Sequence, residues 1–236
     1  MTDAGDGDPA GFGPAADQPG AGLLRLVAVM DRLRTECPWD AKQTHATLAP
    51  YLLEESYEAL DALQSGDQAA LRDELGDVLL QVAFHARVAA ERTDGTGYTI
   101  DDVADGIVAK LVRRHPHVFG DVSVSGADEV TQNWDAIKAA ERASAGGPPA
   151  SAFDGVPLGQ PALSLAAQLR RRAERAGVPD ELAELPPGPA VSEIGAELFA
   201  LVARARAAGL DPELELRSAA RAYRDRVRAW EAGRRA

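Results

Sequence analysis

The sequence predicts an all-α protein. Three observations carry this. Apolar residues recur at helical spacing over most of the chain, strand-like alternation is nearly absent, and Ala, Leu and Arg dominate while aromatics are few. Residues 1–20 are rich in Gly, Pro, Ala and Asp and hold almost no large apolar side chain, which predicts a disordered tail. Leu23, Leu24, Val27, Met30 and Leu33 then mark a helix to about Glu36, stopped by Pro38. Cys37 is expected to be a small buried residue. Trp39 and Asp40 fall in the next loop, where Trp39 is either a core plug or a ligand contact.

Two helices follow, Gln43 to Gln64, interrupted near Pro50, and Asp67 to Arg92. The first has an apolar side of Leu52, Leu53, Ala59, Leu60 and Leu63; the second has Leu71, Leu75, Val78, Leu79, Val82 and Ala83. Between them Gly66 stops one helix and Asp67 caps the next. So short a connection predicts antiparallel neighbours. Thr99 opens a further helix carrying Val103, Ile107, Val108, Leu111 and Val112, which Pro116 stops. Another is expected from Asp128 to Ala143. Residues 146–161 are rich in Gly and Pro and read as a linker between a first domain, 21–145, and a second helical region, 162–236, which ends in an amphipathic helix from Leu214 to Trp230.

The chemistry is concentrated in the hairpin. Glu55 and Glu58 are three residues apart, as are Glu74 and Asp77, and this spacing places each pair on one helix face. Facing pairs repel unless a cation holds them, and an oxygen-only ligand set suits Mg²⁺ or Mn²⁺. Glu54 adds a fifth acid beside them. Lys110 and Arg114 are four apart on one face of the next helix and form a candidate phosphate clamp; the competing reading is charge complementing the helix dipole. Trp134 and Lys138 share a face further on, as an aromatic platform with a phosphate hook. His45 and His85 read as isolated packing or surface residues.

Several ordered motifs resemble the MazG family of nucleoside triphosphate pyrophosphohydrolases. They are Cys37-Pro38-Trp39-Asp40 with Gln43-Thr44, then Glu54-Glu55 with Glu58, Glu74 with Asp77, the run from Lys110 through Arg113-Arg114-His115-Pro116-His117-Val118-Phe119, and Trp134 with Ile137-Lys138. The resemblance runs from about Leu24 to Arg142. It implies a helical bundle of that type, which hydrolyses a nucleoside triphosphate to the monophosphate and pyrophosphate in nucleotide-pool house-cleaning. Mg²⁺, or Mn²⁺, would be held by Glu55, Glu58, Glu74 and Asp77. Glu54 would orient or deprotonate the water, and Lys110, Arg114, Trp134 and Lys138 would bind substrate. A homodimer is implied by analogy. The second region looks like a degenerate copy: Glu193 aligns with Glu74, but Ala196 stands at the Asp77 position, and three prolines within Pro186–Pro189 replace the first acidic helix. The rival class is a catalytically silent helical protein that uses its acids as a metal-dependent scaffold.

Composition narrows the partners. A net charge of −12 and a pI near 4.8 argue against nucleic acid. One cysteine permits no internal disulfide, consistent with a cytoplasmic setting. No apolar run approaches the ~20 residues of a membrane span, and no secretory signal is visible.

Overall fold

The computed structural model describes residues 18–144 and 151–234. The expected tail, up to residue 17, and residues 146–150 of the expected linker lie outside the described residues. The described chain is all-α: it contains no strand, only an isolated bridge between Gly188 and Val191. No described helix is long and apolar enough to cross a membrane. Two compact units meet in sequence between Trp134 and Asp135.

The first unit holds α1 (Ala21–Glu36), a 3₁₀ turn (Asp40–Lys42), α2 (His45–Ser65), α3 (Gln68–Ala89), α4 (Ile100–Arg114), the four-residue α5 (Pro116–Phe119) and the start of α6 (Ala127–Ser144). α2 and α3 form its central hairpin. A reciprocal capping box starts α2: Thr44 Oγ1 accepts from the Thr47 N–H, and Thr47 Oγ1 accepts from the Thr44 N–H. Pro50 does not interrupt this helix as expected. It lies in the second turn, where one missing donor is tolerated by a well-capped helix. Gly66 ends α2 at φ 76°, a left-handed conformation suited to Gly, and Asp67 Oδ1 accepts from the N–H groups of Ala69 and Ala70 to begin α3.

The hairpin packs differently from its sequence pattern. Ala59, Ala62, Ala83, Ala86 and Ala89 are buried, together with Met30, Leu48 and Phe84. Most of the expected apolar positions do not join this core. Leu53 is 57% exposed and Leu75 53%, and Leu52, Leu63, Leu79 and Val82 are also exposed. Leu60, Leu71 and Val78 are half-buried, and Leu80 and Val88 pack on the core around Met30, Leu48 and Phe84. α4 goes further: none of its residues is buried, and Val103, Ile107, Val108, Leu111 and Val112 form an open apolar face. Its start follows the sequence, with Thr99 and Asp102 capping each other. Pro116 stops α4 and opens α5 at its first turn.

Arg34 ties α1 to the hairpin. Its guanidinium grips both Glu91 oxygens, at 2.7 and 2.8 Å, and donates to the Gln43 carbonyl at 3.0 Å and to the Asp40 carbonyl. Glu91 in turn meets Arg87, which also pairs with Asp31. These charge-assisted bonds hold the 3₁₀ turn against the end of α3. Trp39 lies edge-on to Tyr51 and Phe84, with centroids 5.9 and 6.3 Å away, and remains half exposed. Cys37 is half-buried rather than buried, because the chain turns outward there.

The second unit contains the rest of α6, α7 (Ala162–Arg175), the four-residue α8 (Asp180–Ala183), α9 (Glu193–Ala207) and α10 (Pro212–Gly233). α7, α9 and α10 pack on one another around buried Val202 and Ala167. Arg206 of α9 donates to the Ala167 carbonyl and pairs with Glu174 of α7 at 2.6 Å. The stretch around Pro186–Pro189 forms no long helix, as its prolines require. Yet α9 does have a helical partner. It is α7, whose end carries Arg170, Arg171 and Arg172 where an acidic pair was sought.

Candidate metal centre

The central seam brings three carboxylates together. One oxygen from each of Glu55, Glu58 and Glu74 lies within 4.8 Å of the other two. The i,i+3 spacing on α2 supplies the first two, and the tight turn at Gly66-Asp67 brings α3 back with the third. Glu55 and Glu74 are half-buried and Glu58 is exposed. Asp77 lies one turn along α3 and acts on both Glu55 and Glu74 as a like charge. Glu54 is exposed and acts on Glu55 in the same way.

The carboxylates of the cluster act on one another as like charges. Burial pushes the Glu55 carboxyl above the ordinary carboxylate range, and Asp77, Glu58, Glu54 and Glu74 push it further. Burial also raises the Glu74 carboxyl, followed by the neighbouring Glu58 and Asp77 carboxylates. Oxygen donors on two rigid helices, mutually repelling and close enough to share one ion, fit a hard divalent cation. Among the described residues this is the one group of three or more His, Cys, Asp or Glu side chains close enough to do so.

The basic and aromatic residues form a second cluster. The Arg114 guanidinium lies 5.4 Å from the Trp134 ring centroid, and the His115 ring meets Trp134 edge-on at 4.9 Å. His115 Nδ1 donates to the Leu111 carbonyl at 2.7 Å, which fixes the ring at the end of α4. Trp134 is therefore half-buried, with an arginine over its ring, rather than a bare platform. Lys110 is fully on the surface of α4. Lys138 follows Trp134 by one turn of α6 but belongs to the second compact unit.

In that second unit, Glu193 lines a cleft of about 680 Å³ with Glu181, Glu184, Glu197, Arg170 and Phe199. The Arg170 guanidinium covers the Phe199 ring at 5.0 Å. These acids do not converge as those of the hairpin do.

One pairing was not foreseen from sequence. His45 and His85 stack with parallel rings, centroids 5.1 Å apart, and their Nδ1 atoms are 2.8 Å apart. The signal was available: the two lie at nearly equal distances on either side of Gly66, so an antiparallel hairpin brings them level.

Fold and site together define an all-α protein with a carboxylate cluster of hard-cation type on a helical hairpin. The model of the MazG nucleotide pyrophosphohydrolase domain matches residues 43–119, which span all five acids together with Lys110 and Arg114. The chain is 49% identical over 215 residues to an uncharacterized 26.1 kDa protein of Streptomyces cacaoi, covering 91% of this chain and 85% of that one. It is 38% identical to the nucleoside triphosphate pyrophosphohydrolase/pyrophosphatase MazG of Thermotoga maritima, covering 89% of this chain and 87% of the relative. It is 46% identical to the nucleoside triphosphate pyrophosphohydrolase of Mycolicibacterium smegmatis, covering 91% of this chain but spanning 61% of that longer protein. The chain belongs to the MazG family.

Proposed function

We propose that this chain is a nucleoside triphosphate pyrophosphohydrolase, which splits its substrate into the nucleoside monophosphate and pyrophosphate and depends on Mg²⁺ or Mn²⁺. The observation that carries this reading is the convergence of Glu55, Glu58 and Glu74 within 4.8 Å on the α2–α3 hairpin. Together with Asp77 these are the residues that would hold the cation. A divalent cation bound there would neutralise triphosphate oxygens and make water a better nucleophile at neutral pH. Glu54, beside Glu55 yet outside the converging trio, would orient or deprotonate that water. Lys110 and Arg114 share one face of α4 and neutralise charge on the departing pyrophosphate. Trp134 holds Arg114 through its ring and forms part of the nucleotide contact with Lys138.

Arg114→Ala is expected to lower kcat/KM for triphosphates by about 10–100-fold, as loss of a charge-assisted phosphate contact does. Stabilisation by Mg²⁺ should be unchanged in this variant. Equal kinetics for variant and wild type would assign Arg114 to the helix dipole alone.

The open apolar faces of α2, α3 and α4 support a homodimer. A contiguous exposed apolar surface on a helical hairpin marks an interaction site, and a second copy offers a matching face. The single cysteine supports a cytoplasmic protein, the strongly acidic balance supports one with no nucleic acid partner, and nucleotide-pool house-cleaning is the role that suits both. The second unit is read as a degenerate, structural copy of the first. The reading is tested by incubating the chain with a panel of nucleoside triphosphates and Mg²⁺ and following products by phosphorus NMR. Monophosphate and pyrophosphate are expected. Diphosphate with inorganic phosphate, or no turnover, would overturn it.

A further inference from the structure

The His45–His85 pair belongs to no part of the site described so far. It joins α2 to α3 at the open end of the hairpin, opposite the turn at Gly66. His45 precedes Glu55 by ten residues and His85 follows Glu74 by eleven, so each histidine lies ~15 Å along its helix from the carboxylates. The hairpin is thus held at two ends, by a capped turn and by a pair of imidazoles, with the acids near the midpoint. We propose that His45 and His85 are positioning residues, a clasp that fixes the separation of α2 and α3 and so the approach of Glu55 and Glu58 to Glu74. The proposal rests on the reading of the acids as a cation site.

The lever is simple. With the hinge at Gly66, the acids lie about half as far from it as the histidines do. Opening the clasp by ~1 Å would part the carboxylates by ~0.5 Å, which is the tolerance of a preorganised metal or catalytic site. Beside the pair, Leu48 of α2 packs with Ala83 and Phe84 of α3, so the clasp acts together with this apolar contact. Nearer the acids the buried apolar side chains of α2 are the small Ala59 and Ala62.

The clasp accepts one proton between the two Nδ1 atoms. At 2.8 Å one nitrogen must donate and the other accept, so two Nδ1 protons cannot face each other there. The remaining nitrogen of His85, Nε2, is buried without a hydrogen-bond partner, so a charge placed on that ring would be poorly satisfied. Burial, and then the neighbouring His45, hold the His85 imidazole below its ordinary value. The charged groups on the elements packed around the pair are Asp31 and Arg34 of α1, Asp40 and Lys42 of the 3₁₀ turn, Glu54 of α2, Arg87 of α3 and Glu91 just after α3. Asp31 and Glu91 are taken up by Arg87 and Arg34, Asp40 lies beside Arg34, and Glu54 is ~13 Å along α2 from His45. Double protonation therefore breaks the clasp.

The test uses the full chain and Mn²⁺ as the probe, with free Mn²⁺ read by electron paramagnetic resonance and helicity by circular dichroism. His45→Ala and His85→Ala are expected to weaken Mn²⁺ binding about tenfold with helicity retained, as loss of a supporting contact does. His45→Ala keeps the experiment open if His85→Ala does not fold, because His45 is on the surface. The paired variant His45→Gln/His85→Gln replaces the imidazoles with groups that can hydrogen-bond to each other but do not titrate. It should recover most of the affinity and keep only the shallower fall at low pH that the carboxylates Glu55 and Glu74 impose, without the further loss that the histidines add in wild type. Mn²⁺ affinities equal to wild type at every pH in folded His45→Ala would overturn the clasp while leaving the cation site standing. Failure of wild type itself to bind Mn²⁺ would remove the cation site, and the clasp with it.

Discussion

Glu58→Gln abolishes hydrolysis, by on the order of 10²–10³-fold or more, the loss that follows removal of one preorganised charge-stabilising group. The substitution changes little volume and leaves α2 intact, since Glu58 is exposed and both residue types favour helix. What it removes is the charge of one of three carboxylates whose oxygens lie within 4.8 Å of one another. It also removes the partner that raises Glu74, so the Glu74 carboxyl should return toward its ordinary range. A 10³-fold loss corresponds to about 4 kcal/mol of transition-state stabilisation. Steady-state kinetics at saturating Mg²⁺ check it, and turnover equal to wild type would exclude Glu58 from the site.

The second large effect is stabilisation by Mg²⁺ that grows with pH. Without a cation, Glu55 and Glu74 have folded-state values above their unfolded ones. That contribution favours the folded state fully below the unfolded carboxylate value of about 4.3 and is lost as pH rises through the raised folded values. A cation needs the deprotonated forms, so its binding strengthens over the same rise. Mg²⁺ at a hundred times its Kd should add about 2.7 kcal/mol to stability. The gain in Tm should be clearly smaller at about pH 5 than at about pH 8. A gain independent of pH, or present in Glu58→Gln as in wild type, would place Mg²⁺ elsewhere.

The part of the site legible in the sequence is the part written in local spacing. Glu55 with Glu58 is a single-helix relation, and Gly66-Asp67 gives the reversal that brings Glu74 opposite. Thr99 with Asp102 is equally local, and the capping box forms. Relations that depend on how closely helices approach were not legible. Most leucines expected on the apolar sides of α2 and α3 are exposed, whereas Leu48, outside that expected set, is buried with Ala83 and Phe84. Arg34 gives no periodic signal at all, since its partners are Glu91 and two carbonyls of a non-helical segment. His45 and His85 are 40 residues apart, and nothing local to either announces the other. Trp134 was legible as a residue beside a cation, but the guanidinium over its ring comes from Arg114 of α4. In the second unit the helix packed on α9 is α7, whose C-terminal half is basic, so nothing in an acidic pattern marks it.

Calorimetric titration of Mg²⁺ into wild type, Glu58→Gln and Glu193→Ala tests the central claim most directly. Glu193 aligns with Glu74, but Ala196 follows it where Asp77 would stand, and its neighbouring acids do not converge. Wild type and Glu193→Ala should bind Mg²⁺ alike, and Glu58→Gln should show no binding at the same concentrations. Loss of binding in Glu193→Ala with retention in Glu58→Gln would contradict the account and place the cation in the second unit.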